Sequence, residues 1–212
     1  MKIERFEAGL VMSNTYLAYC EDTLEGMIVD PAAGTKAALR RAEEKGVKIR
    51  CIVATHTHPD HISGGAHAKE KTGGEIVAHS SAVGKRNFMR KLESGFGLFY
   101  RPSRPDRLVD DGDALEVGRL RFEVLHTPGH TEDGVCLAGE GCVITGDTLF
   151  EDSVGRTDLP GGSTKKLLLS IREKLLTLPD DTVIYPGHGP ETTIGRERAD
   201  NPFCFEALRM KV

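Results

Sequence analysis

The sequence predicts an α+β chain built from two sheets with helices on them, and three patterns carry that prediction. Hairpin-spaced strands open the chain and give way to strand, helix, strand alternation. Apolar strands separated by glycine-containing turns occupy residues 114–145. A serine-capped, leucine-rich helix and a last strand follow. A meander joined to crossover helices in each half reads as two related halves of one domain, 1–212.

Taken in order, residues 2–7, 15–20 and 26–30 read as strands, the third ended by Asp30-Pro31 because proline cannot continue a ladder. Residues 35–45 are helix formers, with Thr35 as cap and Gly46 as stop, and the apolar run 49–54 is a buried strand. A polar loop, 55–61, precedes a helix over 62–71, a Gly73-Gly74 stop and a short strand, 75–78. Residues 80–92 read as helical. The segment 93–107 holds Gly95, Gly97, Pro102 and Pro105, so it is an irregular excursion. Strands follow at 114–117, 120–126, 135–138 and 142–145, then a helix at 163–176, a strand at 182–185 and a short helix at 191–199.

Composition excludes several classes. With 212 residues, 39% hydrophobic and 28% charged, the chain is neither disordered, collagenous nor a coiled coil. A net charge of −4 works against nucleic-acid binding. The opening MKIERFEAGL lacks the apolar run of a signal peptide, and no stretch reaches the ~18 apolar residues of a membrane helix, so the expected location is the cytoplasm. Cys20, Cys51, Cys136, Cys142 and Cys204 contain no CxxC pair and read as reduced thiols.

Chemistry concentrates at strand ends. Thr55-His56-Thr57-His58-Pro59-Asp60-His61 follows the strand at 49–54 and packs four metal-capable side chains into six positions. His56 and His58, two apart in extended chain, can share one ion, while Asp60 and His61 turn toward another. Three further loops each add one candidate after a strand: His130 in TPGHT, Asp147 in TGDTLF and His188 in PGHGP. Glycine or proline beside each makes the sharp turn that fixes the ligand's direction.

The set THTHPDH, TPGHT, TGDTLF and PGHGP, together with GRTDLPGG and the run from TTIG to NPF, resembles the metallo-β-lactamase superfamily in its compact, glyoxalase II-like hydrolase branch. The resemblance implies a four-layer αββα sandwich, the metallo-β-lactamase fold, with a two-metal site at one sheet edge. It implies that His56, His58 and His130 hold one ion, that Asp60, His61 and His188 hold a second, and that Asp147 bridges them. Mixed imidazole and carboxylate ligands suit zinc, iron or manganese. Two such ions can lower the pKa of a shared water toward neutrality and hold the hydroxide against a carbonyl. The expected reaction is thioester cleavage by that metal-bound hydroxide, with Asp60 also orienting the water as a catalytic residue. The expected partner is a small acyl thioester, with no nucleic acid or membrane involved and a homodimer as one assembly.

Other classes stay in view: a persulfide dioxygenase with one iron, a lactonase or β-lactamase, or a non-enzymatic metal scaffold. Arg156 stands where the glyoxalase II-like enzymes place a cation for a substrate carboxylate, although Asp158 could engage it and make GRTD a loop brace. Glyoxalase II proper has tyrosines where Asp158 and Pro190 stand. The segment 85–107 carries seven basic residues, Lys85, Arg86, Arg90, Lys91, Arg101, Arg104 and Arg107, with four interleaved aromatics. It reads as a lid for an anionic acyl thioester, a dimer interface or a solvated helix face. His67, His79 and His126 read as structural or as supports behind the ligands, His126 above all because it stands close to His130 in sequence.

Overall fold

Short apolar runs become two six-stranded sheets in the computed structural model, which describes residues 1–85 and 104–210. The first sheet runs in chain order: β1 (Lys2–Ala8), β2 (Ser13–Tyr19), β3 (Glu25–Val29), β4 (Lys48–Val53), β5 (Glu75–His79) and β6 (Arg107–Val109). Tight turns join β1, β2 and β3 as an antiparallel meander. From β3 onward the pairings are parallel, which demands crossovers. Helix α1 (Thr35–Lys45) makes the first crossover; α2 (Pro59–Ile62) and α3 (Gly65–Thr72) make the second. Ala38, Ala42 and Ala68 bury against Leu17, Ile28, Ile52 and Ile76, so small residues on the helices let them sit close to β-branched strands.

The second sheet has strand order β14 (Thr192–Thr193), β13 (Val183–Pro186), β10 (Cys142–Gly146), β9 (Val135–Gly139), β8 (Leu120–His126), β7 (Ala114–Val117). A separate hairpin joins β11 (Leu149–Phe150) to β12 (Ser153–Val154). Helices α4 (Thr164–Ser170), α5 (Ile194–Asp200) and α6 (Pro202–Arg209) complete this part. Leu167, Ile171 and Leu175 bury with Val143, Ile184 and Ile194 in a second core. The described chain thus groups into two compact units, the first running to Val109 with Glu116–Leu120 added, the second comprising Asp110–Leu115 and the chain from Arg121 onward.

Several local expectations need correction. Thr35 does not cap α1; Gly34 holds that position and the Thr35 hydroxyl donates to the Ala32 carbonyl at 2.7 Å. The helix expected at 62–71 is two helices, because Gly64 is pinned by a 2.7 Å bond to the Pro31 carbonyl and packs where a Cβ would strike Thr35. The helix expected at 163–176 passes from α into π geometry over Ile171–Leu175, marked by the Leu176 amide donating to the Ile171 carbonyl at 2.8 Å. At 191–199 a two-residue strand precedes α5, since Thr192 and Thr193 pair with β13. Helix α6 escaped the sequence reading despite a clear start signal: Asn201 accepts from the Phe203 amide at 2.9 Å and Pro202 is the first helical residue.

Ser80–Lys85 forms 3₁₀ turns. The basic excursion expected at 85–107 lies mainly outside the described residues, and Arg107 opens β6, a strand with no local signal, by pairing with Val77.

Candidate metal centre

In parallel strands all carboxyl ends lie at one edge, and loops leaving that edge are where such sheets build sites. In the first unit β3 and β4 end side by side, with the Asp30 amide donating to the Val53 carbonyl at 2.8 Å. Six residues past Val53, Pro59 at the first position of α2 disfavours helical geometry in His58, which is extended at φ −69°, ψ 143°. The chain thus bends at His56, is extended at His58 and is helical through Asp60 and His61.

The outcome is a converging set. His56 Nε2 lies 3.1 Å from His58 Nδ1. His61 Nε2 lies 3.5 Å from Asp60 Oδ2. Asp30, His56 and His61 present ligand-type atoms within 4.8 Å of one another.

Asp30 is the residue that the sequence reading missed. It is 1% exposed, with a left-handed φ of 51° that Asp tolerates better than most residues. Its Oδ1 accepts from the Thr55 amide at 2.7 Å, and its Oδ2 accepts from the Thr55 hydroxyl at 2.8 Å and faces His61 Nδ1 at 2.9 Å. The Thr55 hydroxyl also lies 3.1 Å from His56 Nδ1. One buried carboxylate therefore orients two imidazoles, His61 directly and His56 through Thr55, and directs their Nε2 atoms away from it. The available signal was an acidic residue ending the strand before the crossover that leads to the histidine loop.

In the second unit the same edge logic uses three loops. β8, β10 and β13 run in the same direction, because β9 is antiparallel to both β8 and β10 while β13 is parallel to β10. Their carboxyl ends feed His130, Asp147 and His188. The Gly187 amide donates to the Gly146 carbonyl at 2.8 Å and fixes the last two loops together. Asp147 Oδ2 then lies 3.5 Å from His130 Nε2 and 3.6 Å from His188 Nε2. His130 Nδ1 donates to the Arg156 carbonyl at 2.7 Å, which leaves Nε2 as its ligand atom. Gly155 makes the close approach possible, since a Cβ there would run into the Asp147 carbonyl and the His130 side chain.

These spacings suit metal ions. Three ligand atoms in a tetrahedral shell around zinc sit about 3.3 Å apart. The separations around Asp147, 3.5 and 3.6 Å, and the 3.1 Å between His56 and His58 are of that size. Asp147 Oδ2 thus stands between two imidazole nitrogens.

Arg156 gives its guanidinium to Asp158, Nε to Oδ1 and Nη2 to Oδ2, both at 2.8 Å. That pair is solvent-exposed; the Arg156 hydrogen bonds hold the Asp158 carboxyl down at about 2. His126 braces its own loop, Nε2 donating to the Glu132 carbonyl at 2.8 Å, while His79 lies 2.9 Å from the Ser81 hydroxyl. All five cysteines are free and buried.

Residues 8–188 match the family model of the metallo-beta-lactamase superfamily. The chain belongs to that superfamily. Its two mixed sheets with flanking helices are the superfamily fold, as the sequence predicts. Among metallo-beta-lactamase superfamily relatives, hydroxyacylglutathione hydrolase GloC of Haemophilus influenzae is 35% identical over 211 residues, covering 96% of this chain and 98% of GloC. The crystal structure of BLEG-1 B3 metallo-beta-lactamase matches with a TM-score of 0.86 at 32% identity, over 96% of this chain and 99% of that one. TTHA1623, solved in a di-iron-bound form, matches with a TM-score of 0.83 at 32% identity, over 94% and 99%.

Proposed function

We propose that this metallo-hydrolase superfamily member cleaves thioesters of the hydroxyacylglutathione kind, using two divalent ions. His56, His58 and His130 would hold one, Asp60, His61 and His188 would hold the other, and Asp147 would be available to both. The observation that carries this reading is Asp147 Oδ2, set 3.5 and 3.6 Å from two separate imidazole nitrogens. The likeness to GloC along nearly the full length of both chains supports the substrate class. The di-iron form of TTHA1623 supports two ions and admits iron beside zinc and manganese.

When bound, the ions supply a nucleophile from water at neutral pH and an electrophile for the carbonyl oxygen. The protein's own residues do the rest. Asp60, on the first turn of α2 and partly exposed, accepts a hydrogen bond from the attacking water and aims it. Water would lose one proton to solvent, the hydroxide so formed would add to the acyl carbon, and the carbon–sulfur bond would break with its electron pair leaving on the thiolate, which needs no protein acid. Arg156 exchanges Asp158 for a substrate carboxylate, a bidentate replacement of one anion by another. Since Asp158 titrates near 2, it stays charged above that value, and the pair is lost only as pH falls through it.

The test is thiol release from S-lactoylglutathione by protein loaded with zinc, iron or manganese, with metal content measured alongside. Two ions per chain and turnover are expected. A single iron with oxygen consumption on glutathione persulfide, and no thiol release, would overturn the proposal. Arg156→Ala is expected to raise KM about tenfold with kcat unchanged, and KM is expected to be level between pH 5 and 8 as far as this pair is concerned.

A further inference from the structure

A cavity of about 570 Å³ lies in the first unit, between α1, α3 and the start of β4. Its size falls within the range of small-molecule sites. Lys36 and Arg40, one helical turn apart on α1, line it together with Lys48 of β4 and Lys71 of α3. Glu43 is the acidic residue among the lining side chains. Ala42, Val47 and Ile49 form a buried apolar floor, and the His67 ring stands at the side.

Three neighbouring cations of the same unit have carboxylate partners: Arg41 holds Glu4 at 2.7 Å and Glu44 at 3.4 Å, Arg50 holds Glu25, and Lys69 holds Asp106, whereas Lys45 at the end of α1 holds none among the described residues. The four cations that line the cavity have no ion-pair partner among the described residues, even though Glu43 stands three positions after Arg40. Four positive charges are thus gathered over an apolar floor in a chain whose net charge is −4. A polyanion with an apolar body satisfies both features, its phosphates taking charge-assisted bonds and its organic part covering the floor.

We propose that this cavity binds a phosphorylated small molecule of mononucleotide size. Lys48 opens the strand whose far end feeds His56, so this site is distinct from the histidine loop and does not depend on the hydrolase reading.

Calorimetric titration of the full-length, metal-loaded protein with ATP, tripolyphosphate and adenosine tests it. ATP is expected to bind more tightly than tripolyphosphate by about tenfold, and adenosine not measurably. Arg40→Glu combined with Lys71→Glu is expected to weaken ATP by about tenfold or more while thioester turnover is unchanged. His58→Ala, which disrupts the histidine loop, is expected to leave ATP affinity as it was. In acetylation footprinting, ATP should protect Lys36, Lys48 and Lys71 but not Lys165. Absence of ATP binding at millimolar concentration, equal affinity in the charge-reversed protein, or loss of binding in His58→Ala would overturn the proposal. Equal affinity for tripolyphosphate and ATP would overturn the organic part of it. If the double reversal unfolds the protein, Arg40→Ala and the footprint decide the same question.

Discussion

The two units present candidate metal ligands in different ways. The first concentrates four of them in one loop and steadies that loop from behind with Asp30, through Thr55 and His61. The second draws three ligands from three loops and steadies them from the side, with the Arg156 carbonyl on His130 and bare Gly155 against Asp147. In the first the local chain places the side chains, because Pro59 sets where extended chain becomes helix, and Asp30 turns the rings. In the second the parallel register of β10 and β13 does it, so ligand geometry depends on the sheet. A ligand loop can therefore be built by local sequence or by strand alignment, and the two are vulnerable to different substitutions.

The sharpest way to break the second arrangement is Asp147→Ala. Loss of the shared carboxylate is expected to lower thioester turnover by about a thousandfold or more and to reduce bound metal in the same preparation. Asp30→Asn probes the first arrangement: it keeps a side chain that tolerates φ 51° but withdraws the charge facing His61. Metal affinity should fall about 10- to 100-fold, measured by competition with a chelating dye. Gly155→Ala is expected to cost about 1–3 kcal/mol in urea unfolding, because the added Cβ must displace Asp147 or His130, and to lower turnover with it. If its stability fell while turnover held, the side support would be structural alone.

The smallest effects concern residues outside the site. Ser163 accepts from the Lys166 amide at 3.4 Å, so Ser163→Ala should cost about 1 kcal/mol of stability and leave turnover unchanged. Among the cysteines, the Thr23 hydroxyl and neighbouring amides bring Cys20 down to about 7, while burial pushes Cys142 up to about 11 and Cys204 up to about 12. In alkylation followed by mass spectrometry Cys20 should therefore be modified at lower pH than Cys142 and Cys204, and slowly, since it is buried as they are.

Much of this was legible in one dimension. The strands before each ligand loop, the glycine stops of α1 and α3, and the Ser163 cap follow from local chemistry, and the structure has them. The features that escaped are the ones made by pairing. β6 and β14 are three and two residues long and exist because a neighbouring strand offers hydrogen bonds. Asp30 resembles an ordinary strand end until the parallel register of β3 and β4 brings Thr55 onto it.

The sequence by itself determined the inventory of candidate ligands, the turns beside them and the α+β class, since those depend on residue type and on spacing within a few positions. Only the tertiary structure decided which imidazole nitrogen points outward, that the Arg156 backbone supports His130, and that four cations line one cavity with Glu43 as its lining acid. These depend on atoms distant in sequence, whose meeting is set by strand register and by helix packing rather than by any local preference.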